Sequence, residues 1–296
     1  MIQDVFRYKS LSTDQLLHDL NWVLNARSLI RDDLPDFQGE ILVSISDLVG
    51  EEEVEKWYLE QVNEPSKISS FFSIDEQLIV GKYFEKLIAY IFYQLPRFEV
   101  VHYSKQFFTK KQTIGEIDFI IRDLNNHSII HIEVAVKYYM GFKNIGKHDL
   151  WIGPNGRDTL KKKIVKLKRQ LMLSDQLDLE EVEKRVLILG YFFKHWKHSK
   201  WPYFNNTREE QGIWLYEDEM EEYFDPGSIY LIVPKYKWLG FYIDKNSLFL
   251  NRIELIKEVN KQILEIGKGI MVIQLDELTH TLIKRFIVVP MKWPKL

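Results

Sequence analysis

The 296-residue chain is 46% apolar, 28% charged and near neutral at −3, the balance of a folded domain and not of a disordered or uniformly basic one. It has no cysteine, which excludes disulfides, thiolate metal sites and cysteine nucleophiles; a metal would have to be held by Asp, Glu, His or backbone oxygen, a donor set that favours Mg²⁺, Mn²⁺ or Ca²⁺. The first twenty residues carry acids and do not read as a signal peptide, and no apolar run approaches a membrane span, so the sequence reads as cytoplasmic.

Residues 12–31 read as a helix, capped at Ser12 or Thr13 and carrying Leu16, Leu20, Val23, Leu24 and Leu29 at roughly helical period, with Pro35 ending the region. Residues 41–62 read as one or two more helices with an acidic start at Glu51–Glu53, and 63–73 as a linker containing Pro65 and several serines. A long helix is expected from Ile74 to Leu95, with Glu85 inside its apolar stretch. Three strands follow at 98–105, 115–122 and 129–138, rich in β-branched and aromatic residues, with Asp123, Asn125 and Asn126 turning the chain between the last two. Segment 141–157 is too long for a plain connector. A helix at 158–173 with Leu160, Ile164, Leu167 and Leu171 on one stripe precedes a buried strand at 185–193. Residues 194–228 read as irregular, 217–222 as a solvated acidic face, 229–233, 238–243, 270–275 and 283–289 as strands, and 248–266 as a helix. Three parts are expected: a helical extension at 1–73, a core at 74–195 and an α+β extension at 196–296.

Charge inside the strands is the informative departure. Asp118, Glu133 and Lys137 sit in apolar runs, where an unpaired charge costs several kcal/mol. Alternation puts Glu133 and Lys137 on one face, and a hairpin between the second and third strands brings Asp118 close to Glu133. Two converging carboxylates repel unless a cation lies between them, and Mg²⁺ or Mn²⁺ suits such a pair. An internal acid–lysine ion pair is the simpler alternative. His131 shares the Glu133 face and His148 lies in the long loop; both are more economically structural. From Lys137 to Arg169 there are ten Lys plus Arg against two Asp, and Lys162, Lys166 and Arg169 lie along one side of the helix, a pattern suited to a phosphate backbone. Asp158 is expected to cap that helix.

The order helix, three strands, helix, strand over 74–193 resembles the PD-(D/E)xK phosphodiesterase superfamily, the restriction-endonuclease-like fold. Asp118 matches the motif's Asp and Glu133 its Glu. Ala135 stands where its Lys is usual, and Lys137 lies two residues on, about 6–7 Å further along a strand. Blocks GKYFEKL at 81–87, GEIDFI at 115–120, and IEVAVKYY with WIGPNGRDTLKKK at 132–163 are similar to an uncharacterised bacterial family in that superfamily. The resemblance implies an α/β fold with a mixed central sheet flanked by helices, Glu85 as the helix acid, Lys161 or Lys162 as substitutes for the displaced lysine, and Gln170 beside Arg169 as a substrate-orienting residue. It implies Mg²⁺- or Mn²⁺-dependent hydrolysis of nucleic acid, DNA before RNA. Asp118, Glu133, Lys137 and Glu85 would be catalytic, Asp118 and Glu133 the metal ligands, and Lys161, Lys162, Lys166, Arg169 and Gln170 the substrate contacts. The alternatives are a binding module without turnover, and a protein-interaction module recruiting through the aromatic C-terminal region. A homodimer is left open.

Overall fold

The computed structural model describes residues 6–7, 11–31, 39–72, 77–108, 112–143, 147–198, 201 and 211–294. Strand β1 (Phe6–Arg7) comes first. The Ser12 hydroxyl then accepts from the Gln15 amide and starts α1 (Thr13–Asn25), which buries Leu16, Leu20, Val23 and Leu24. The helix stops short of residue 31 because the chain beyond it is claimed by tertiary pairing. Ser28 N–H donates to Val43 O, and Leu29 N–H to Ile188 O. Pro35, the expected terminator, lies outside the described residues.

Strand β2 (Glu40–Ile41) precedes α2 (Ile45–Val49) and α3 (Glu51–Asn63). Glu51, Glu52 and Glu53 occupy the first turn of α3, where the helix dipole favours acids. The stretch 63–73, expected as a linker, holds another helix, α4 (Ser66–Phe71), which starts after Pro65 and buries Ile68. Proline is compatible with a helix start, so Pro65 and the serines were misleading there. After β3 (Gln77–Leu78), which pairs antiparallel with β1, comes α5 (Val80–Gln94). The expected start of that helix at Ile74 lies outside the described residues. Tyr83, Phe84, Leu87, Ile88 and Ile91 are buried along α5, each contributing about 1.5–3 kcal/mol by leaving water.

Strands β4 (Phe98–Phe108), β5 (Thr113–Asp123) and β6 (Ile129–Gly141) form an antiparallel meander. The β5–β6 turn uses the expected residues: Asp123 accepts from the Asn125 amide and His127 takes a positive φ. Inside the long loop, β7 (Trp151–Ile152) pairs with the end of β6. Then come α6 (Leu160–Leu171) and β8 (Val182–His195). The stretch 194–228 is not irregular throughout. It holds β9 (Gln211–Tyr216) and α7 (Met220–Tyr223), while 199–200 and 202–210 lie outside the described residues. Strand β10 (Ile229–Val233), helix α8 (Arg252–Ile266) and strands β11 (Ile270–Leu275) and β12 (Leu282–Val289) complete the chain. Residues 238–243 form no strand. The aromatic Trp238 there is spent on packing, its indole N–H donating to Val233 O.

The result is a mixed α/β protein with a ten-stranded sheet ordered β10-β11-β12-β9-β8-β6-β5-β4, with β2 beside β8 and β7 beside β6. The chain divides into two compact units. One holds Val5–Val136 and Lys163–Leu189; the other holds Lys137–Lys162 and Gly190–Leu296. Each unit is interleaved along the sequence. The first contains Ile117, Ile120 and Leu173 in an apolar cluster, and the second a larger one around Leu255, Val259, Phe286 and Val288. Among the described residues no helix is long and apolar enough to cross a membrane.

Candidate active site

The site begins where two strands stop pairing. Partners across β5 and β6 run from Arg122–Ile129 to Phe119–Ile132. Asp118 and Glu133 are the next residues on each strand, so their backbone groups leave the ladder. The carboxylates take up the released donors. Asp118 N–H donates to Glu133 Oε1 at 3.2 Å, and Val134 N–H donates to Asp118 Oδ2 at 2.9 Å. The expected approach of Asp118 to Glu133 is thus present, built from crossed side-chain-to-backbone bonds. Both residues are buried, Glu133 completely. Burial first, and the Glu133 charge second, raise the Asp118 carboxyl far above its ordinary range. Burial likewise raises Glu133, against the opposing pull of the Asp118 amide, Lys163 and Lys166.

His131 fixes where one proton sits. Its Nε2 is 2.9 Å from Glu133 Oε1 and its Nδ1 3.0 Å from Ser174 Oγ. The Ser174 hydroxyl donates to Leu171 O at 3.0 Å, so it accepts from Nδ1–H. Burial lowers the His131 pKa to about 4 and keeps the ring neutral, which leaves Nε2 without a hydrogen. The proton between Nε2 and Oε1 therefore belongs to the Glu133 carboxyl, in keeping with its raised affinity. The other oxygen, Glu133 Oε2, is buried without a hydrogen-bond partner, a state that ordinarily costs about 1–3 kcal/mol. Ser174 and His131 thus form a hydrogen-bonded chain that ends on Glu133 Oε1.

Glu85 on α5 reaches the same region. Its carboxyl is raised by burial and then by the Asp118 charge. Lys82 donates to Glu85 Oε2 at 2.6 Å and to Glu116 Oε1 at 3.3 Å. Ser104 Oγ also donates to Glu116 Oε1. Burial pulls Lys82 down, but Glu85 and Glu116 hold it above its ordinary value. Gln170 Nε2 donates to Glu116 O at 2.9 Å, so the expected substrate-orienting amide is tied to β5. Its Oε1 is buried without a partner.

The lysines are arranged differently from the sequence expectation. Lys137 lies in the other compact unit, where its ammonium donates to Asp158 Oδ2 at 2.6 Å. Asp158 also accepts from Tyr139 Oη at 3.4 Å and does not cap α6; Thr159 does, its hydroxyl accepting from the Lys162 amide. Lys161 is exposed, and Lys162 donates to Arg157 O at 3.1 Å. The lysine whose charge acts most on both Asp118 and Glu133 is Lys163. The triple-lysine run signalled it, but the helical phase that selects Lys163 depends on where α6 begins. Lys166 and Arg169 are exposed on α6. Ser174, Lys82 and Glu116 carried no readable signal, and the His148 side chain lies outside the described residues.

A family model for a domain of unknown function, DUF1853, matches residues 18–289. The chain belongs to the DUF1853 family. No curated protein and no solved structure matches it. Among the described residues no group of three or more His, Asp or Glu is arranged to hold a metal. The donor chemistry of Asp118 and Glu133 still fits a hard cation. The pair supplies carboxylate oxygens, one of them buried and unpartnered, and Mg²⁺ commonly takes only one or two carboxylates and completes its shell with water.

Proposed function

We propose that this DUF1853 chain is a divalent-metal-dependent phosphodiesterase acting on nucleic acid, built on a restriction-endonuclease-like core of α5, β4–β6, α6 and β8. The observation that carries the reading is the buried Asp118–Glu133 pair with the unpartnered Glu133 Oε2. Two carboxyls packed against each other need a compensating proton or cation, and burial holds both far above their ordinary range, so an entering cation would take over the compensation. The order of elements and the exposed Lys166 and Arg169 support the same reading.

Asp118 and Glu133 would hold Mg²⁺ or Mn²⁺. The ion, when bound, lowers the pKa of a water and neutralises phosphate charge. His131 orients Glu133 by accepting a hydrogen bond from its carboxyl. Glu85 adds a third acid beside Asp118. Lys163 supplies the positive charge that the motif expects of its lysine, and Lys166 and Arg169 attract the backbone by charge alone. DNA is the preferred substrate in this reading, with RNA as the second.

The test is cleavage of plasmid DNA, linear duplex, single strands and RNA by the full chain with Mg²⁺ or Mn²⁺. Asp118→Asn and Glu133→Gln should each abolish it. Undiminished cleavage in both variants refutes the assignment. The engagement of Lys137 by Asp158 favours a second reading, a nucleic-acid-binding module without turnover. It predicts salt-dependent binding with no cleavage under any divalent ion.

A further inference from the structure

Level with the residue after Asp118, the next strand carries an aromatic ring that hydrolysis alone does not require. Tyr103 on β4 is 38% exposed, and Tyr93 on α5 is 52% exposed. Their rings meet edge to face with centroids 6.5 Å apart. The Tyr103 ring lies flat on buried Phe119, at 5.0 Å and 18°. This backing fixes the plane of an otherwise exposed ring. Burial raises the Tyr103 hydroxyl to about 12, and across the strands Tyr103 pairs with Phe119, the residue that follows Asp118.

The backbone holds Tyr103 there at some cost. Tyr103 pairs with Phe119 and Lys105 with Ile117 across β4 and β5, so Ser104 stands level with Asp118. Ser104 has φ +53°, a conformation that side chains other than glycine rarely adopt, and its hydroxyl is spent on Glu116. The row that carries Asp118 thus departs from regular pairing on both sides, and an exposed tyrosine flanks it.

We infer that Tyr103 and Tyr93 form a stacking platform for an unpaired base, so that the substrate class is single-stranded nucleic acid or a frayed end. In a duplex the base faces are covered by their neighbours. A ring with a rigid backing beside the scissile site selects nucleotides whose faces are free. The inference rests on the phosphodiesterase reading for what happens next, and on the two rings alone for binding.

The experiment is fluorescence anisotropy in EDTA with the full chain, using a fluorescein-labelled oligothymidylate of about a dozen nucleotides and a duplex of equal length. Tyr103→Ala should weaken single-strand binding about ten-fold or more. Tyr103→Phe should stay within about two-fold, because it keeps the ring. Duplex binding should change little in either. Tyr93→Ala, on the more exposed ring, provides a second variant and should weaken the single strand by about three-fold. No single-strand binding by the unmodified protein, no effect of Tyr103→Ala and Tyr93→Ala, or equal losses on duplex overturns the inference. If binding behaves as expected but no divalent ion supports cleavage, the phosphodiesterase reading fails and the platform stands. If cleavage depends on Asp118 but is indifferent to both tyrosines, the platform fails and that reading stands.

Discussion

Glu133→Gln replaces the buried acid with a neutral isostere of its protonated form. The amide oxygen of the variant takes over the bonds now made by Oε1, accepting from Asp118 N–H and, after a tautomer change, from His131. Glu133 rises from an ordinary 4.5 to about 8, and Asp118 from 3.8 to about 7. A group whose pKa is raised by folding stabilises the fold below its unfolded value and loses that contribution as pH climbs through the folded value. The wild-type protein should therefore lose stability between pH 5 and pH 9. At about 1.4 kcal/mol per unit, the Glu133 shift corresponds to roughly 5 kcal/mol, which relaxation and water entry reduce to on the order of 2–3 kcal/mol. For a chain of this size that is about 4–6 °C in Tm. Thermal unfolding followed by circular dichroism should show the two proteins within about 2 °C at pH 5, and the variant more stable by that margin at pH 9. Adding Mg²⁺ or Mn²⁺ at pH 8.5 should raise the wild-type Tm and leave the variant unmoved, since only the acid gives up a proton to accept the ion. Parallel pH profiles, or a variant less stable at every pH, refute the assignment of a protonated, strained acid at this position.

Lys163→Ala should reduce nucleic-acid cleavage by at least ten-fold and, by removing a cation near both acids, move the pH midpoint of the stability loss upward. Lys137→Ala should cost about 1 kcal/mol or less, the range of a partly exposed ion pair, and leave cleavage within a few-fold; comparison of kcat and Tm for the two variants checks this. Lys166→Glu with Arg169→Glu should weaken binding to all sequences and lower the salt slope of log Kd by about two. Gly190→Ala should cost about 3 kcal/mol or more, visible in Tm or soluble yield. Gly190 has φ +129°, and an added Cβ would lie 1.8 Å from Lys137 O.

The acid pair was legible because its signals are local. Asp118 and Glu133 interrupt apolar strands, a short polar turn separates them, and alternation plus hairpin register brings them together. The cation that acts most on the pair was legible only as one of the Lys161–Lys163 run, because strand alternation speaks only for residues on the same strand. Lys137 satisfied that rule and was captured by Asp158, whereas Lys163 approaches from a helix whose first residue had to be known to within one position. The same limit explains the ends of elements. Leu29 fits the period of α1, yet its amide pairs with Ile188, more than 150 residues away. Residues 238–243 have strand-like composition but lie where Trp238 folds back on Val233. Ser174 gave no readable signal, since its hydroxyl meets a histidine 43 residues earlier in the chain.

A metal bound as proposed at Asp118 and Glu133 would compete with the proton on Glu133, and that competition would give the arrangement a direction. At low pH the His131–Glu133 bond is satisfied by the acid's own proton. A cation entering at Asp118 and Glu133 must expel that proton. Its nearest acceptor is Nε2 of His131, a ring that burial otherwise keeps neutral. Placing positive charge there is costly in so buried a position, so the proton must leave for solvent as the metal binds. Cation affinity should then rise steeply with pH until both acids are ionised, the slope reporting the number of protons displaced. A pair of exposed carboxylates would show no such dependence above pH 6, and isothermal titration of Mn²⁺ at pH 6, 7 and 8.5 in buffers of different ionisation enthalpy counts the protons directly. A pH-independent affinity would mean that the cation, if it binds, sits elsewhere than between Asp118 and Glu133.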